Sequence, residues 1–164
     1  MNIEHWYAKQ KEVDSLIEEK MGGTLVLTDY LSVEHRTFAF QCELMELANE
    51  IGFFKDWKHS HTIKMDKAME ELADCIAFAV SVGLTKGYDK VIKEIKPFEM
   101  WEDYPYLDLF IILRQNELSN VGQYQMALGM LLGIGLKLGA TLDRIEDSYL
   151  YKAEKNIQRQ QNNY

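Results

Sequence analysis

The sequence predicts an all-α fold, and three observations support this prediction. Apolar residues recur at the three- and four-residue spacing of amphipathic helices through most of the chain. Few segments alternate apolar and polar residues in the manner of a half-buried strand. Only two prolines, Pro97 and Pro105, interrupt the 164 residues, and no repeat, low-complexity tract or domain boundary divides them. We therefore expect residues 1–164 to form a single helical bundle.

The first part of the chain predicts two helices separated by an irregular segment. Residues 2–20 form the first helix, and Gly22-Gly23 end it because glycine favours helix C-termini. Residues 24–27 are compatible with either a short strand or an extended loop. Residues 31–51 form the second helix, which Gly52 ends. The apolar positions of these two helices are Ile3, Trp6, Val13, Ile17, Phe40, Leu44, Leu47 and Ile51.

The third predicted helix, residues 62–84, is apolar on more than one side and ends at Gly83 or Gly87. Such a helix belongs at the centre of a bundle. The other predicted elements are an aromatic and basic loop at 53–61, a short helix at 86–95, a connector at 96–105, and helices at 106–117, 120–139 and 142–161. Four glycines in the helix at 120–139 indicate close helix packing, either in the core or at a subunit interface: Gly129, Gly133, Gly135 and Gly139.

Composition and charge argue against several classes of partner. The net charge of -8 disfavours nonspecific binding to nucleic acid, because phosphate backbones require a basic patch. The two cysteines, Cys42 and Cys75, form no Cys-x-x-Cys motif, so we expect neither a zinc site nor a disulfide framework. The N-terminus lacks an apolar signal core, and the most apolar stretch, residues 126–136, is too short to span a bilayer. We therefore expect a cytoplasmic protein with no nucleic-acid or membrane partner.

Two acidic pairs, Glu43-x-x-Glu46 and Glu71-x-x-Asp74, lie in the second and third predicted helices. Residues three apart are neighbours on one helix face, so each pair presents two carboxylates together. Glu71 also interrupts an apolar stripe, where an uncompensated carboxylate is costly to desolvate. Oxygen ligands favour Mg²⁺, with Mn²⁺ as the other possibility, and no His follows these acids at the Glu-x-x-His spacing of di-iron bundles. The alternative is that these residues are ordinary surface acids.

Four motifs, in order along the chain, resemble those of the dimeric, all-α dUTPases. The first is Gln10-x-x-Val13-Asp14-x-x-Ile17. The second is Glu43-Leu-Met-Glu46-Leu-Ala-Asn-Glu50, followed by Phe54-Lys55-Asp56-Trp57-Lys58. The third is Glu70-Glu71-Leu72-Ala73-Asp74 with Phe78, and the last is Lys152-x-x-x-Asn156-x-x-Arg159-Gln160-x-x-Asn163-Tyr164. The acidic pairs alone indicate the wider all-α nucleotide pyrophosphatase group, and the C-terminal motif narrows the resemblance to dUTPases.

The resemblance implies a helical bundle of the all-α NTP pyrophosphatase type that hydrolyses dUTP, and dUDP as well, to dUMP with release of pyrophosphate or phosphate. It also implies Mg²⁺ held by the acidic cluster, and a homodimer. Ala77 departs from the His that many relatives carry before the Phe, Asn163 replaces a usual Gly, and residues 85–140 match no motif. Two alternatives stay open: the same chemistry on another nucleotide, such as dCTP or a modified NTP, and a catalytically silent helical nucleotide-binding protein.

Each candidate site residue has an expected role in hydrolysis at a phosphate, which requires neutralised charge, an activated water and correct alignment. Glu43 is expected to be the general base, with Glu46 as the other candidate. The expected metal ligands are Glu43, Glu46, Glu71 and Asp74. The expected phosphate-binding residues are Lys152, Arg159, Lys55 and Lys58. The expected nucleoside-binding residues are Gln10, Asp14, Trp57, Asn156 and Phe78.

Several of these residues also have a purely structural interpretation. Gln10 interrupts an apolar stripe, so its amide needs a partner, which is either a uracil edge or nearby backbone. Trp57 could stack on a base or cap the core, and Phe78 more often packs than binds. Lys152, Asn156 and Arg159 share one helix face, which is either a phosphate site or a solvated surface. His59 and His61 are interpreted as surface residues.

Overall fold

The computed structural model describes residues 1–21, 32–60 and 62–162, and these residues contain six α-helices. The helices are α1 (Glu4–Met21), α2 (Val33–Ile51), α3 (Met65–Thr85), α4 (Tyr106–Arg114), α5 (Val121–Lys137) and α6 (Leu142–Gln161). The described residues form no strand, and their single antiparallel bridge pairs Asn2 with Glu94. The predicted all-α fold is therefore confirmed.

Local side-chain chemistry explains where several helices begin and end. Ser32, Asn120 and Thr141 precede α2, α5 and α6, and each accepts a hydrogen bond from the backbone N–H three residues later. These bonds satisfy N–H groups that have no partner within the helix. Gly52 ends α2 in the left-handed conformation, with φ of 70°, which agrees with the predicted stop.

The helix α3 lies at the centre of the bundle, as its apolar pattern predicts. It packs against α1, α2, α5 and α6. Its buried residues face more than one direction: Ala68, Met69, Leu72, Ala73, Cys75, Ile76, Ala79, Val80, Ser81, Val82 and Gly83. The buried face of α3 therefore meets side chains from four other helices.

Glycines allow α5 to approach its neighbours closely. A Cβ atom added at Gly129 would lie 2.9 Å from the carbonyl oxygen of Lys96, and one added at Gly135 would overlap the Ile145 side chain. The predicted close packing therefore occurs within the chain at Gly129, Gly133 and Gly135, but not at Gly139, where an added Cβ would meet no atom within 4 Å. Among the described helices, none alone is long and apolar enough to cross a membrane; α5 and α6 reach that length together only across a bend of 111°.

The prediction of a helix at 86–95 is wrong, because the structure contains only one 3₁₀ turn there, at Tyr88–Lys90. The N-terminal residues supply a competing partner: Ile3 N–H donates to the Lys93 carbonyl at 2.9 Å, and Ile95 N–H donates to the Met1 carbonyl at 2.9 Å. These bonds hold the segment extended and bury Ile95. Sequence periodicity cannot reveal them because the partners lie far apart in the chain. The predicted strand or loop at 24–27 and the Gly22-Gly23 stop lie outside the described residues.

Candidate metal centre and nucleotide cavity

Three carboxylates from two packed helices converge at the centre of the candidate site. The helix α2 supplies Glu43 and Glu46, one turn apart, and α3 supplies Glu71. One ligand oxygen from each residue lies within 4.8 Å of the other two. We call these three residues the acid cluster. Its donors are all oxygens, which fits a hard divalent cation such as Mg²⁺ or Mn²⁺.

The acid cluster is electrostatically strained when no cation is present. The pKa of Glu43 is raised to about 7, first by burial and then by the charges of Asp74, Glu46 and Glu71. Burial and neighbouring acids also raise the pKa of Glu71. A positive ion among these groups would offset both the desolvation and the repulsion. The energetics of the acid cluster therefore agree with its geometry in favouring a cation.

Asp74, the fourth predicted ligand, lies beside the acid cluster but faces a lysine. Its Oδ2 atom is 2.6 Å from Nζ of Lys152, which is almost fully buried on α6. Burial raises the pKa of Asp74, while Lys152 and Arg159 oppose that rise. The structure therefore brings three of the four predicted ligands together and pairs the fourth with a predicted phosphate-binding residue.

Glu70 organises the lysines of α6. Its Oε1 atom lies 3.0 Å from Nζ of Lys152 and 3.0 Å from Nζ of Lys155. These two ammonium groups lower the pKa of Glu70 to about 2. Glu70 is thus a stable anion that keeps both lysines near the acid cluster, and the sequence motif alone gives no sign that Lys155 belongs to this group.

The raised pKa of Glu43 predicts how the stability of the metal-free protein depends on pH. Folded Glu43 keeps a proton up to about pH 7, whereas its ordinary pKa is 4.5, so its contribution to stability is lost as pH rises through 7. Glu71 and Asp74 act in the same direction. Glu70 has a lowered pKa, so its contribution is nearly complete once the pH lies above its ordinary pKa of 4.5, and it adds little to the change at higher pH.

We therefore expect the free energy of unfolding in EDTA to fall between pH 5 and pH 8, and the fall to be smaller in Glu43→Gln. Urea denaturation at several pH values measures both. The matched control is Glu34→Gln, an exposed acid on the same helix, which should keep the wild-type pH dependence. An identical pH dependence in the wild type and Glu43→Gln would show that Glu43 is not the titrating group.

A cavity of about 730 Å³ adjoins the acid cluster, with walls from α1, α2, α3 and α6. Asp74 lines this cavity, one turn along α3 from Glu71, so the cavity and the acid cluster are neighbours. Four predicted nucleoside-binding residues also line it: Gln10, Asp14, Phe78 and Asn156. Its apolar walls with a few polar groups are typical of a small-molecule site.

One wall of the cavity is a buried polar network centred on Asp14. The Asp14 carboxylate accepts hydrogen bonds from Nε2 of Gln10 at 2.9 Å and from Oγ of Ser81 at 2.7 Å. The guanidinium of Arg36 lies 3.7 Å from the same carboxylate. Arg36 also donates to the Ser81 carbonyl and to the Thr85 hydroxyl. The amide of Gln10 is therefore satisfied by side chains and not by nearby backbone.

Arg36 and Ser81 line the cavity, and neither was among the residues that the sequence predicted. A signal for Arg36 existed: it precedes Phe40 by one turn and continues the buried stripe of α2, with only 7% of its surface exposed. A buried charge requires a partner, so a cation in that stripe indicates an acid on a facing helix. Ser81 gives no comparable signal, because small hydroxyls are common in buried helices.

The predicted site residues of the loop after α2 do not line the cavity. Trp57 is 70% exposed and packs edge-on against Phe54. Nζ of Lys55 donates to the Asn49 carbonyl at 2.6 Å, and Lys58 is exposed. The nucleoside role of Trp57 and the phosphate roles of these lysines stay predictions. His61, Asn163 and Tyr164 lie outside the described residues.

Comparison with known proteins gives one family. A family model described as dUTPase matches the chain over residues 2–164. The match includes every residue of the acid cluster, the cavity and the Asp14 network. No curated protein matches the chain.

Proposed function

We propose that this protein, which belongs to the all-α dUTPase family, is a metal-dependent dUTP pyrophosphatase. The family model matches residues 2–164, and the proposal proceeds from that membership. Hydrolysis of dUTP is the activity of that family. The proposal adds a divalent cation, most simply Mg²⁺ with Mn²⁺ as a substitute, release of pyrophosphate, and dUDP as a second substrate. The free cysteines Cys42 and Cys75 fit a reducing compartment, so a cytoplasmic location is part of the proposal.

The observation that carries this proposal is the contact between two sites of different chemistry. The acid cluster suits a hard cation, and the cavity beside it has the apolar walls and polar groups that suit a nucleoside. Asp74 belongs to the cavity wall and is electrostatically coupled to Glu43. A nucleoside in the cavity would therefore have its phosphates directed at the acid cluster.

Glu43, Glu46 and Glu71 are the residues that would hold the cation, and Asp74 would join them if Lys152 turned toward substrate. When bound, a divalent cation supplies charge neutralisation at the phosphates and makes a water molecule more acidic. Glu43 is the proposed general base, because it is the half-buried acid of the α2 pair and would lie beside the water that a cation makes more acidic. Glu46, which is exposed, is the other candidate.

The reaction can be written with the roles of these residues. A water oxygen attacks the α-phosphorus of dUTP, and Glu43 accepts the proton that the water loses. The bond from the α-phosphorus to the bridging oxygen breaks, and pyrophosphate leaves as dUMP forms. Lys152, Lys155 and Arg159 carry positive charge near the acid cluster and would bind the phosphate oxygens.

Lys152→Met is expected to lower kcat/KM for dUTP by about 10- to 100-fold, because it removes a charge-assisted hydrogen bond to phosphate. It should also destabilise the metal-free protein, since Asp74 loses its 2.6 Å partner. Steady-state kinetics and thermal denaturation measure the two effects. Lys155 is more exposed than Lys152, and its ammonium is paired with Glu70. Lys155→Met should therefore show smaller changes in kcat/KM and in stability. Equal effects of the two variants would reject a special role for Lys152.

The proposal includes a homodimer, which the exposed apolar side chains of two helices support. Phe38 and Met45 lie seven residues apart on one face of α2 and are 71% and 42% exposed. Leu107 and Ile111 lie one turn apart on α4 and are 54% and 41% exposed. Exposed large apolar residues that share a face are typical of interaction surfaces.

Phe38→Glu is therefore expected to convert the dimer into a monomer, because it buries a charge in an apolar interface. Light scattering coupled to size-exclusion chromatography measures the molar mass directly. The control is Val91→Glu, which adds the same charge at another exposed apolar position, 63% exposed and outside α2 and α4. A wild-type protein that runs as a monomer would reject the dimer without affecting the chemistry proposed above.

A panel of nucleotides tests the proposed reaction. With Mg²⁺ present, dUTP should give dUMP and pyrophosphate, dUDP should give dUMP and phosphate, and dCTP should react much more slowly. Product analysis by ion-exchange chromatography, with kcat/KM for each substrate, measures these outcomes. Equal kcat/KM for dUTP and dCTP would favour an all-α pyrophosphatase of different specificity, and nucleotide binding without turnover would favour a silent binding protein.

A further inference from the structure

The side-chain amide of Gln10 is held at both ends inside the cavity wall. Its Nε2 atom donates to Oδ1 of Asp14 at 2.9 Å. Its Oε1 atom lies 3.3 Å from the hydroxyl of Tyr149, which also donates to the Trp6 carbonyl at 3.0 Å. Gln10 is 6% exposed and Tyr149 is fully buried, so neither group can exchange these partners for bulk water.

Asp14 determines which way the Gln10 amide points. A carboxylate only accepts hydrogen bonds, so the amide must turn its nitrogen toward Asp14. The opposite orientation would place two acceptor oxygens at 2.9 Å. Asp14 is itself fixed by the Ser81 hydroxyl at 2.7 Å and by the Arg36 guanidinium at 3.7 Å. Asp14 therefore sets the orientation of Gln10, while Arg36 and Ser81 fix the position of the Asp14 carboxylate.

A fixed amide distinguishes uracil from cytosine because the two bases present opposite patterns along the same edge. Uracil has an acceptor oxygen at position 4 and an N–H donor at position 3. Cytosine has an amino donor at position 4 and an acceptor nitrogen at position 3. An amide can pair with either edge, but the pairing with cytosine requires the amide to be reversed. Gln10 has one N–H and one oxygen lone pair left for such a pairing.

We propose that Asp14, held in place by Ser81 and Arg36, locks the amide of Gln10 in the orientation that pairs with uracil and rejects cytosine. The inference rests on the proposed function for the identity of the ligand. In this account Asp14, Arg36 and Ser81 are positioning residues, and only Gln10 contacts the base. Cytosine is rejected because its hydrogen-bonding edge does not match the fixed amide, so that buried polar groups of the site are left unpaired.

Asp14→Asn is the sharpest test, because it should reverse the lock. Arg36 can only donate, so it holds the oxygen of the new asparagine and directs the new amide nitrogen at Gln10. Gln10 then turns its oxygen toward that nitrogen and its own nitrogen toward the Tyr149 hydroxyl, which can accept. The ratio of the dCMP to the dUMP dissociation constant should fall by about 10- to 100-fold relative to wild type.

Equilibrium binding of dUMP and dCMP in the presence of EDTA measures this ratio without requiring turnover. The ratio of kcat/KM for dUTP and dCTP should shift in parallel, mainly through KM. The control is Glu18→Gln: among the described residues Glu18 is a second carboxylate at 3.7 Å from the Arg36 guanidinium, and its side chain is 59% exposed. This variant should keep the wild-type ratio. A general loosening of the fold in Asp14→Asn would weaken binding of both bases alike, so a change in the ratio reports the orientation of Gln10.

Asp14→Ala provides a second variant if Asp14→Asn does not fold, as judged by circular dichroism. It removes the lock without replacing it, so the preference should fall toward parity and not reverse. A wild-type ratio in every folded Asp14 variant overturns the inference, as does a wild-type protein that binds dUMP and dCMP equally. Failure of the proposed function is recognised separately, by a wild-type protein that leaves dUTP intact with Mg²⁺ present.

Discussion

Replacing Glu43 by glutamine is expected to lower kcat for dUTP hydrolysis by about 10³-fold, since removing a general base costs 10²- to 10⁴-fold. The substitution is nearly isosteric, so it removes the charge of Glu43 while keeping its volume. Glutamine cannot accept the proton of the attacking water and is a weaker ligand for a hard cation. Because Glu43 is partly buried among acids, the variant should fold, and the metal-free protein should be at least as stable as wild type above pH 7.

Steady-state kinetics at saturating dUTP and Mg²⁺ measure this loss. Glu34→Gln is the matched control, because it changes an exposed acid nine residues earlier on α2 and should keep wild-type kcat. Glu46→Gln distinguishes the two candidate bases: a ligand that is not the base should be partly rescued by higher Mg²⁺, whereas the base should not. Wild-type turnover in Glu43→Gln would exclude Glu43 from the chemistry.

Removal of divalent cations is expected to abolish turnover of dUTP. The substrate brings several negative charges to a site where three carboxylates already lie within 4.8 Å of one another. Without a cation this arrangement repels the phosphates, and the net charge of -8 offers no general attraction. Dialysis against EDTA should therefore reduce dUMP formation to background, and added Mg²⁺ should restore it, with Mn²⁺ as a substitute.

The cation should also stabilise the folded protein by mass action, because the site is assembled only on folding. Thermal denaturation with and without Mg²⁺ separates metal binding from turnover, and Glu71→Gln should weaken the stabilisation. Calcium provides a further control. It prefers more oxygen ligands and longer bonds than Mg²⁺ does, so the three carboxylates of the acid cluster suit it less well. Undiminished turnover after EDTA would mean that the acid cluster serves another purpose.

The sequence predicted the helices and the acid cluster because both depend on short-range spacing. A three-residue interval places Glu43 beside Glu46 on any helix, and the apolar pattern of residues 62–84 indicates a central helix that brings Glu71 close. Glycine at 52 marks a helix end through its own backbone preference. The Glu43–Glu46 pair and the helix end need no knowledge of distant partners, whereas the approach of Glu71 depends on the packing of α3 against α2.

The features that the sequence did not predict depend on contacts across the fold. The extended segment around Lys93 exists because residues 1–3 bond to it, and no local pattern records that pairing. Asp74 pairs with Lys152 from a different helix. Of the four predicted ligands, three therefore converge in the acid cluster, and Asp74 lies beside them. Arg36 supports a cavity wall through Asp14, and only its unusual place in an apolar stripe signalled a role.

A crystal structure with Mg²⁺ and a non-hydrolysable α,β-imido analogue of dUTP tests the central claim most directly. The account predicts an ion bonded to oxygens of Glu43, Glu46 and Glu71 at roughly 2.0–2.1 Å, bridging to the phosphates of the analogue. It also predicts the uracil in the cavity against Gln10. An ion bound elsewhere, or an analogue whose base lies outside this cavity, would contradict the account.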